Sequence, residues 1–108
     1  MSQQQQDEQA PEFYQRFAER FPEIAKSYEA LGKHVHDQGP LDEKTRALIK
    51  LAISGSTGMD SAFRTHIRKA RKLGITRAEM EHVALLFLPT MGFPATMKAI
   101  YQIEKHLK

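Results

Sequence analysis

The 108-residue chain has no cysteine. That absence removes disulfides, thiolate metal sites, iron–sulfur clusters and cysteine nucleophiles together. The chain also has no apolar run long enough to span a bilayer, and no opening segment with a basic start and an apolar middle. No membrane partner is expected, and a cytoplasmic protein is the default expectation. No stretch carries a strand signal of any strength. A metal set is missing too. His34, His36 and Asp37 in "HVHD" are ligand types that suit zinc, but no second cluster such as H-E-x-x-H completes them. That segment reads as a solvated loop, and neither a metal nor another cofactor is expected.

What is present fits one soluble globular domain. Hydrophobic residues make up 41% and charged residues 27%, which suits a domain that builds a core with little burial to spare. Residues 1–10 are polar and Gln-rich and read as a tail, leaving 11–108 as a single helical domain. The net charge of +3 is unevenly spread. Residues 1–60 carry seven Lys/Arg against ten Asp/Glu, and residues 61–108 nine against three. A basic half suits an anionic small molecule or nucleic acid. The run from Arg64 to Arg77 holds six cations and no acid, but the one aromatic beside it, Phe63, is placed on the inward side. A solvated helix face outranks a nucleic-acid surface there.

The apolar pattern has helical spacing throughout. Phe13, Phe17, Phe21 and Ile24 line one face, with Pro22 opening a second helix that Gly32 is expected to stop. Gly39-Pro40 marks a loop. Asp42 then caps a helix whose expected buried stripe is Leu48, Ile49, Ala52 and Ile53. After "SGSTG", Asp60 or Ser61 is expected to cap a helix reaching Leu73, with Phe63, His66 and Ile67 on its apolar side. Gly74 suits the left-handed position that ends such a helix, and "TRAE" is a capping box that opens the next. The six apolar residues Val83 to Leu88 would cover a helix on every side. A chain this short cannot easily enclose one of its own helices, so self-association is expected. A last helix is expected from about Ala95 to Leu107. The fold class is all-α, a compact bundle of about five to six helices.

The order "LDEKTRALIKLAIS", a Gly-rich break, H-x-x-x-A-x-x-x-G-I-T-x-x-E and an Ala/Leu-rich helix ending in "GFPA" resembles the carboxymuconolactone decarboxylase and alkylhydroperoxidase D-like family, over about Leu41 to Ile100. The resemblance implies an all-helical homotrimer or homohexamer. The family's peroxidase branch carries C-x-x-C-x-x-x-H. Here Met59 and Ala62 stand at the cysteine positions, His66 at the histidine, and Ala47 where that branch has a glutamate. Thiol peroxidase activity needs a thiolate, so it is not expected. The decarboxylase branch lacks the cysteine pair and acts on a small carboxylated lactone. Such chemistry needs a group to move a proton and cations to hold carboxylates; His66 could move the proton, and Arg46, Arg64 or Arg68 could hold an anion.

Each candidate also has a structural explanation. His66 on an apolar stripe could equally be a core histidine bonded to a neighbour. Met59 and Phe93, with Met91 and Met97, suit a ligand pocket or plain core equally well. His82 could lie at a subunit contact or face solvent, and His106 complements a helix C-terminus. Three roles remain open: a decarboxylase-like lyase acting on a small carboxylated or carbonyl compound, a non-catalytic oligomer binding a small ligand or a protein, and, less favoured, a nucleic-acid-associated basic protein.

Overall fold

The computed structural model describes the backbone of residues 3–107 and the side chains of residues 12–107. Among these residues there is no strand. There are six helices of nine residues or more and one short helical turn. They are α1 (Gln3–Arg20), α2 (Pro22–Asp37), α3 (Glu43–Ser56), α4 (Asp60–Lys72), α5 (Arg77–Leu85), the four-residue α6 (Leu88–Met91) and α7 (Phe93–His106). The all-α expectation holds. The chain divides into two compact units between Leu41 and Asp42.

The first unit is a hairpin of α1 and α2. Phe21 leaves helical geometry (φ −133°) and Pro22 begins the next helix, where its missing N–H costs nothing. The Phe17 and Phe21 rings meet at 5.3 Å across this corner. Farther along, the Tyr14 hydroxyl donates to Glu29 at 2.9 Å. α1 begins at Gln3, inside the stretch that composition reads as a tail, while Met1 and Ser2 lie outside the described residues. Two expectations fail in α2. Gly32 does not stop it, because its φ stays in the ordinary negative range and the helix continues to Asp37. His34 and His36 therefore sit on a helix rather than a loop. Lys33 closes that last turn with an ion pair to Asp37 at 2.9 Å.

The second unit packs α3, α4, α5 and α7 around Leu51, Phe63, Ile67, Ala70, Met80, Ala84, Phe87, Ala99 and Ile103. Local signals set the boundaries. The Asp42 carboxylate accepts from the Thr45 backbone N–H at 2.8 Å and caps α3. α4 ends at a left-handed Gly74 (φ +84°), with the Ile75 N–H bonded back to the Ala70 carbonyl at 3.1 Å and Ile75 itself buried. Thr76 and Glu79 form the expected capping box of α5. α4, by contrast, has no side-chain cap. Met59 occupies the cap position, and Asp60, already helical, pairs with Lys98 of α7 at 3.2 Å.

Two packing expectations are corrected. The buried stripe of α3 centres on Leu51, which is fully enclosed, whereas Ile49 and Ile53 remain 42% and 56% exposed. The elements that pack on α3 cover its Leu51 side and leave the Ile49–Ile53 side open. The Val83–Leu88 segment is not one helix buried all round. α5 ends at Leu85, the chain turns, and α6 begins at Leu88. Ala84 and Phe87 are buried, while Leu85, Leu86 and Leu88 stay exposed.

Candidate functional site

α3 presents three faces to its surroundings. Because successive residues advance about 100°, Ala47, Leu51 and Ser54 share the core side, and the Ser54 hydroxyl is satisfied there by the Lys50 carbonyl at 2.9 Å. Arg46 and Lys50, one turn apart, flank that side next to α4. Thr45, Ile49 and Ile53 point the other way.

The chemistry gathers on the flank shared by α3 and α4. His66 lies on α4, half-buried, in the stripe that also carries Ala62 and Ala70. Burial holds its imidazole below the ordinary value, and the neighbouring Lys69 and Lys50 add to that by like-charge repulsion. Lys50 is half-buried as well. Its amine is held below the usual lysine value first by burial, then by Lys69 and Arg46. Arg46, Lys50, His66 and Lys69 thus act on one another electrostatically along this flank. Cations this near one another favour an anion beside them. A neutral imidazole at the same place can accept a proton.

The sequence candidates are distributed as follows. Arg46 joins the His66 cluster through Lys50. Arg64 does not lie on that side, since two residues before His66 places it about 200° around α4. Met59 caps α4, two turns or about 10 Å along the axis from His66, and is more than half exposed. Phe93 opens α7 and is exposed. Ala47, at the position of the peroxidase glutamate, faces the core with no polar group to offer. Lys50 and Lys69, which sequence reasoning does not single out, stand beside His66. The available signal was the i, i+4 spacing of Arg46 and Lys50, two cations on one side of a helix otherwise rich in apolar residues.

A second feature lies on the far side of α3. A groove of about 650 Å³ runs between α3 and the α5–α6 corner. Its walls are mainly apolar, from Ile49, Ile53, Leu86, Phe87 and Met91, with Thr45 and His82 among its polar groups. Glu79, also on this groove, is held by Lys44 at 2.8 Å and by the Thr76 cap. Those contacts keep its carboxylate below the usual range, the Lys44 contact first. His82 is exposed here. His106 lies apart from the cluster on α7, against Gln102 at 3.1 Å. Among the described residues, no group of three or more His, Asp or Glu lies together in a way that could hold a metal ion, and no helix is long and apolar enough to cross a membrane.

Comparison with known proteins sets these features in a family. The model of the carboxymuconolactone decarboxylase family matches residues 22–104. An uncharacterized protein of Methanocaldococcus jannaschii is 34% identical over 88 residues, which is 81% of this chain and 85% of the relative. A second uncharacterized protein of the same organism is 29% identical over 82 residues, covering 76% of this chain and 77% of the relative. Among solved structures, the apo crystal structure of a carboxymuconolactone decarboxylase family protein from Legionella pneumophila superposes with a TM-score of 0.82. It covers 97% of this chain and 96% of its own, at 21% identity, a likeness of fold.

Proposed function

The chain belongs to the carboxymuconolactone decarboxylase family, and from that premise we propose that it binds and acts on a small carboxylated carbonyl compound at the face formed by Arg46, Lys50, His66 and Lys69. The observation that carries this reading is the gathering of Lys50 and Lys69 around a half-buried His66, with Arg46 beside Lys50. The cations fix and neutralise carboxylate oxygens. His66, kept neutral by its surroundings, takes up or returns the proton that a reaction next to a carbonyl requires. Thiolate chemistry is closed to a chain without cysteine, so the peroxidase branch does not describe it.

The test is direct. A small dicarboxylate such as malonate, titrated into the protein while the His66 ring is followed by NMR, should raise the His66 pKa, because a nearby anion favours the imidazolium. Sodium chloride at matched ionic strength should not. Arg46→Gln should weaken the response and Arg71→Gln, on the outer side of α4, should leave it. An unmoved His66 resonance at saturating malonate would refute the reading.

The open side of α3 supports a second reading, that the chain assembles with copies of itself. Ile49 and Ile53 lie across the groove from Leu86 and Met91, and all four are substantially exposed. Monomers seldom leave such contiguous apolar surface to water, and closed symmetry limits its burial to a defined assembly. The preference for three or six copies comes from the family likeness. Light scattering after size exclusion should give a mass above 12.4 kDa, and Leu86→Glu should reduce it. A folded wild-type monomer at low micromolar concentration would overturn this second reading.

A further inference from the structure

α2 carries an apolar face that its own unit leaves open. Ile24, Tyr28, Leu31 and Val35 recur at steps of four, three and four, so they form one narrow stripe about 16 Å long. Each of the four is 58–66% exposed. α1 engages the adjacent side of α2, where Ala25 is buried and Glu29 accepts the Tyr14 hydroxyl at 2.9 Å. Tyr14 reaches the edge of the stripe at Tyr28, with 6.4 Å between ring centroids. The charged residues of α2, Glu23, Lys26, Glu29, Lys33 and Asp37, all lie about 100° or more around the axis from the stripe. An apolar stripe with this spacing on an otherwise charged helix is the form in which a helix enters an apolar groove.

We propose that the groove between α3 and the α5–α6 corner receives α2 of a second copy of the chain, seated by Ile24, Tyr28, Leu31 and Val35. The proposal rests on the reading of that groove as a self-assembly surface, and it names what fills it. The groove, of about 650 Å³, has the matching character, with Ile49, Ile53, Leu86 and Met91 on its walls and exposed. Charge favours this pairing over one between two α2 stripes. Residues 1–41 carry four Lys/Arg against seven Asp/Glu, whereas residues 42–108 carry twelve against six. Opposite net charges draw the first unit of one copy to the second unit of another, while two first units repel. Shape acts in the same direction, because a convex helix face fills a groove. Stripe and groove are separate patches, and each copy offers one of each. The contact is therefore exchanged between two copies or passed around a closed ring, and in both cases no patch is left over.

Because the chain has no cysteine, single introduced cysteines report the contact without background. Leu31→Cys and Ile53→Cys, co-expressed as separate full chains with one of them tagged to change its mass, are treated with a short bis-maleimide. Both positions are exposed, so neither change disturbs a core. Links between the two different chains should predominate over links between like chains. Leu31→Glu places a charge in the stripe and should weaken association about tenfold or more, as Leu86→Glu does from the groove side. Lys26→Gln, on the charged side of α2, should leave the assembled mass unchanged. Circular dichroism confirms that each variant keeps its helices. Links mainly between like chains, no links in a protein that still assembles, or an unchanged mass in Leu31→Glu would each overturn the seating of α2 while the self-assembly reading stands. A folded wild-type monomer at low micromolar concentration would remove both together.

Discussion

Replacing glycine by alanine at two helical positions and at one helix end should show three different causes, because the same methyl group meets three different surroundings. In the middle of α2, Gly32 has ordinary helical geometry, and a Cβ built there meets nothing within 4 Å. Alanine then limits the unfolded chain and improves helix propensity, stabilising by about 0.5–1 kcal/mol. Gly55, near the end of α3, is different. A Cβ there would lie 2.7 Å from Cε1 of Phe63 and 3.1 Å from Cδ1 and Cζ. The Phe63 ring is buried in the core and cannot swing aside. Overpacking of this kind costs about 1–3 kcal/mol, and the propensity gain offsets only about 1 kcal/mol of it. Gly55→Ala should therefore destabilise by up to about 2 kcal/mol. Gly74 has open space around it but sits at φ +84°, so alanine there meets backbone strain of about 1–2 kcal/mol without any clash. A change of 1 kcal/mol moves Tm by about 4–5 °C at this chain length. Melts followed by circular dichroism, at one fixed protein concentration because association shifts Tm, should rank Gly32→Ala above wild type and the other two below it. A Gly55→Ala variant as stable as wild type would refute the close approach of α3 to Phe63. A destabilised Gly32→Ala would refute the uninterrupted course of α2.

Other expectations follow from the site and its supports. His66 should titrate below 6.5, its ordinary value, in the folded protein. Above that pH both states are neutral. Below it the unfolded chain binds a proton first, so stability should fall as pH drops from about 6.5 toward the native value, and His66→Gln should flatten that slope in urea titrations. Glu79, with its pKa lowered from 4.5 by Lys44 and the Thr76 cap, contributes stability that is complete above about pH 4.5 and lost as pH falls through the lowered value. Glu79→Gln should remove that part of the acid sensitivity of unfolding. Thr76→Ala should cost about 1 kcal/mol in the same melts by removing the α5 cap. After metal removal, peroxide consumption with a dithiol reductant should match the protein-free control, and turnover above it would contradict the exclusion of thiol chemistry.

The fold was largely legible because its punctuation is local. Asp42, Gly74 and the Thr76–Glu79 box each act within four residues, and each appears where the residue types indicate. Gly32 misled because glycine in a helix interior costs only about 1 kcal/mol, less than the remaining residues of α2 recover. The α4 cap misled for a related reason. Asp60 and Ser61 both suit a cap, but Asp60 is engaged by Lys98 of α7, a partner 38 positions away that no local pattern reveals. His66 was legible from its place in a spaced motif. The lowered amine of Lys50 was not, because it arises from burial and then from Lys69 and Arg46, and proximity between α3 and α4 is a property of the packed pair.

The apolar residues of α3 show why helical periodicity carries only part of the assignment. Leu48, Ile49, Ala52 and Ile53 satisfy the spacing of a buried stripe as well as Leu51 does, and hydrophobicity alone cannot tell which side a neighbouring helix will cover. Packing resolves it. The Leu51 side closes against its neighbours in the second unit, the Arg46–Lys50 flank meets the cations of α4, and the Ile49–Ile53 side opens into the groove. A helix with apolar residues on more than one side needs more than one apolar partner. If copies of the chain supply that second partner through the groove, Leu86→Glu should lower the assembled mass while leaving the malonate response of His66 intact, because Leu86 lines the groove and not the cationic flank. Loss of both together would show that the two sides of α3 are coupled.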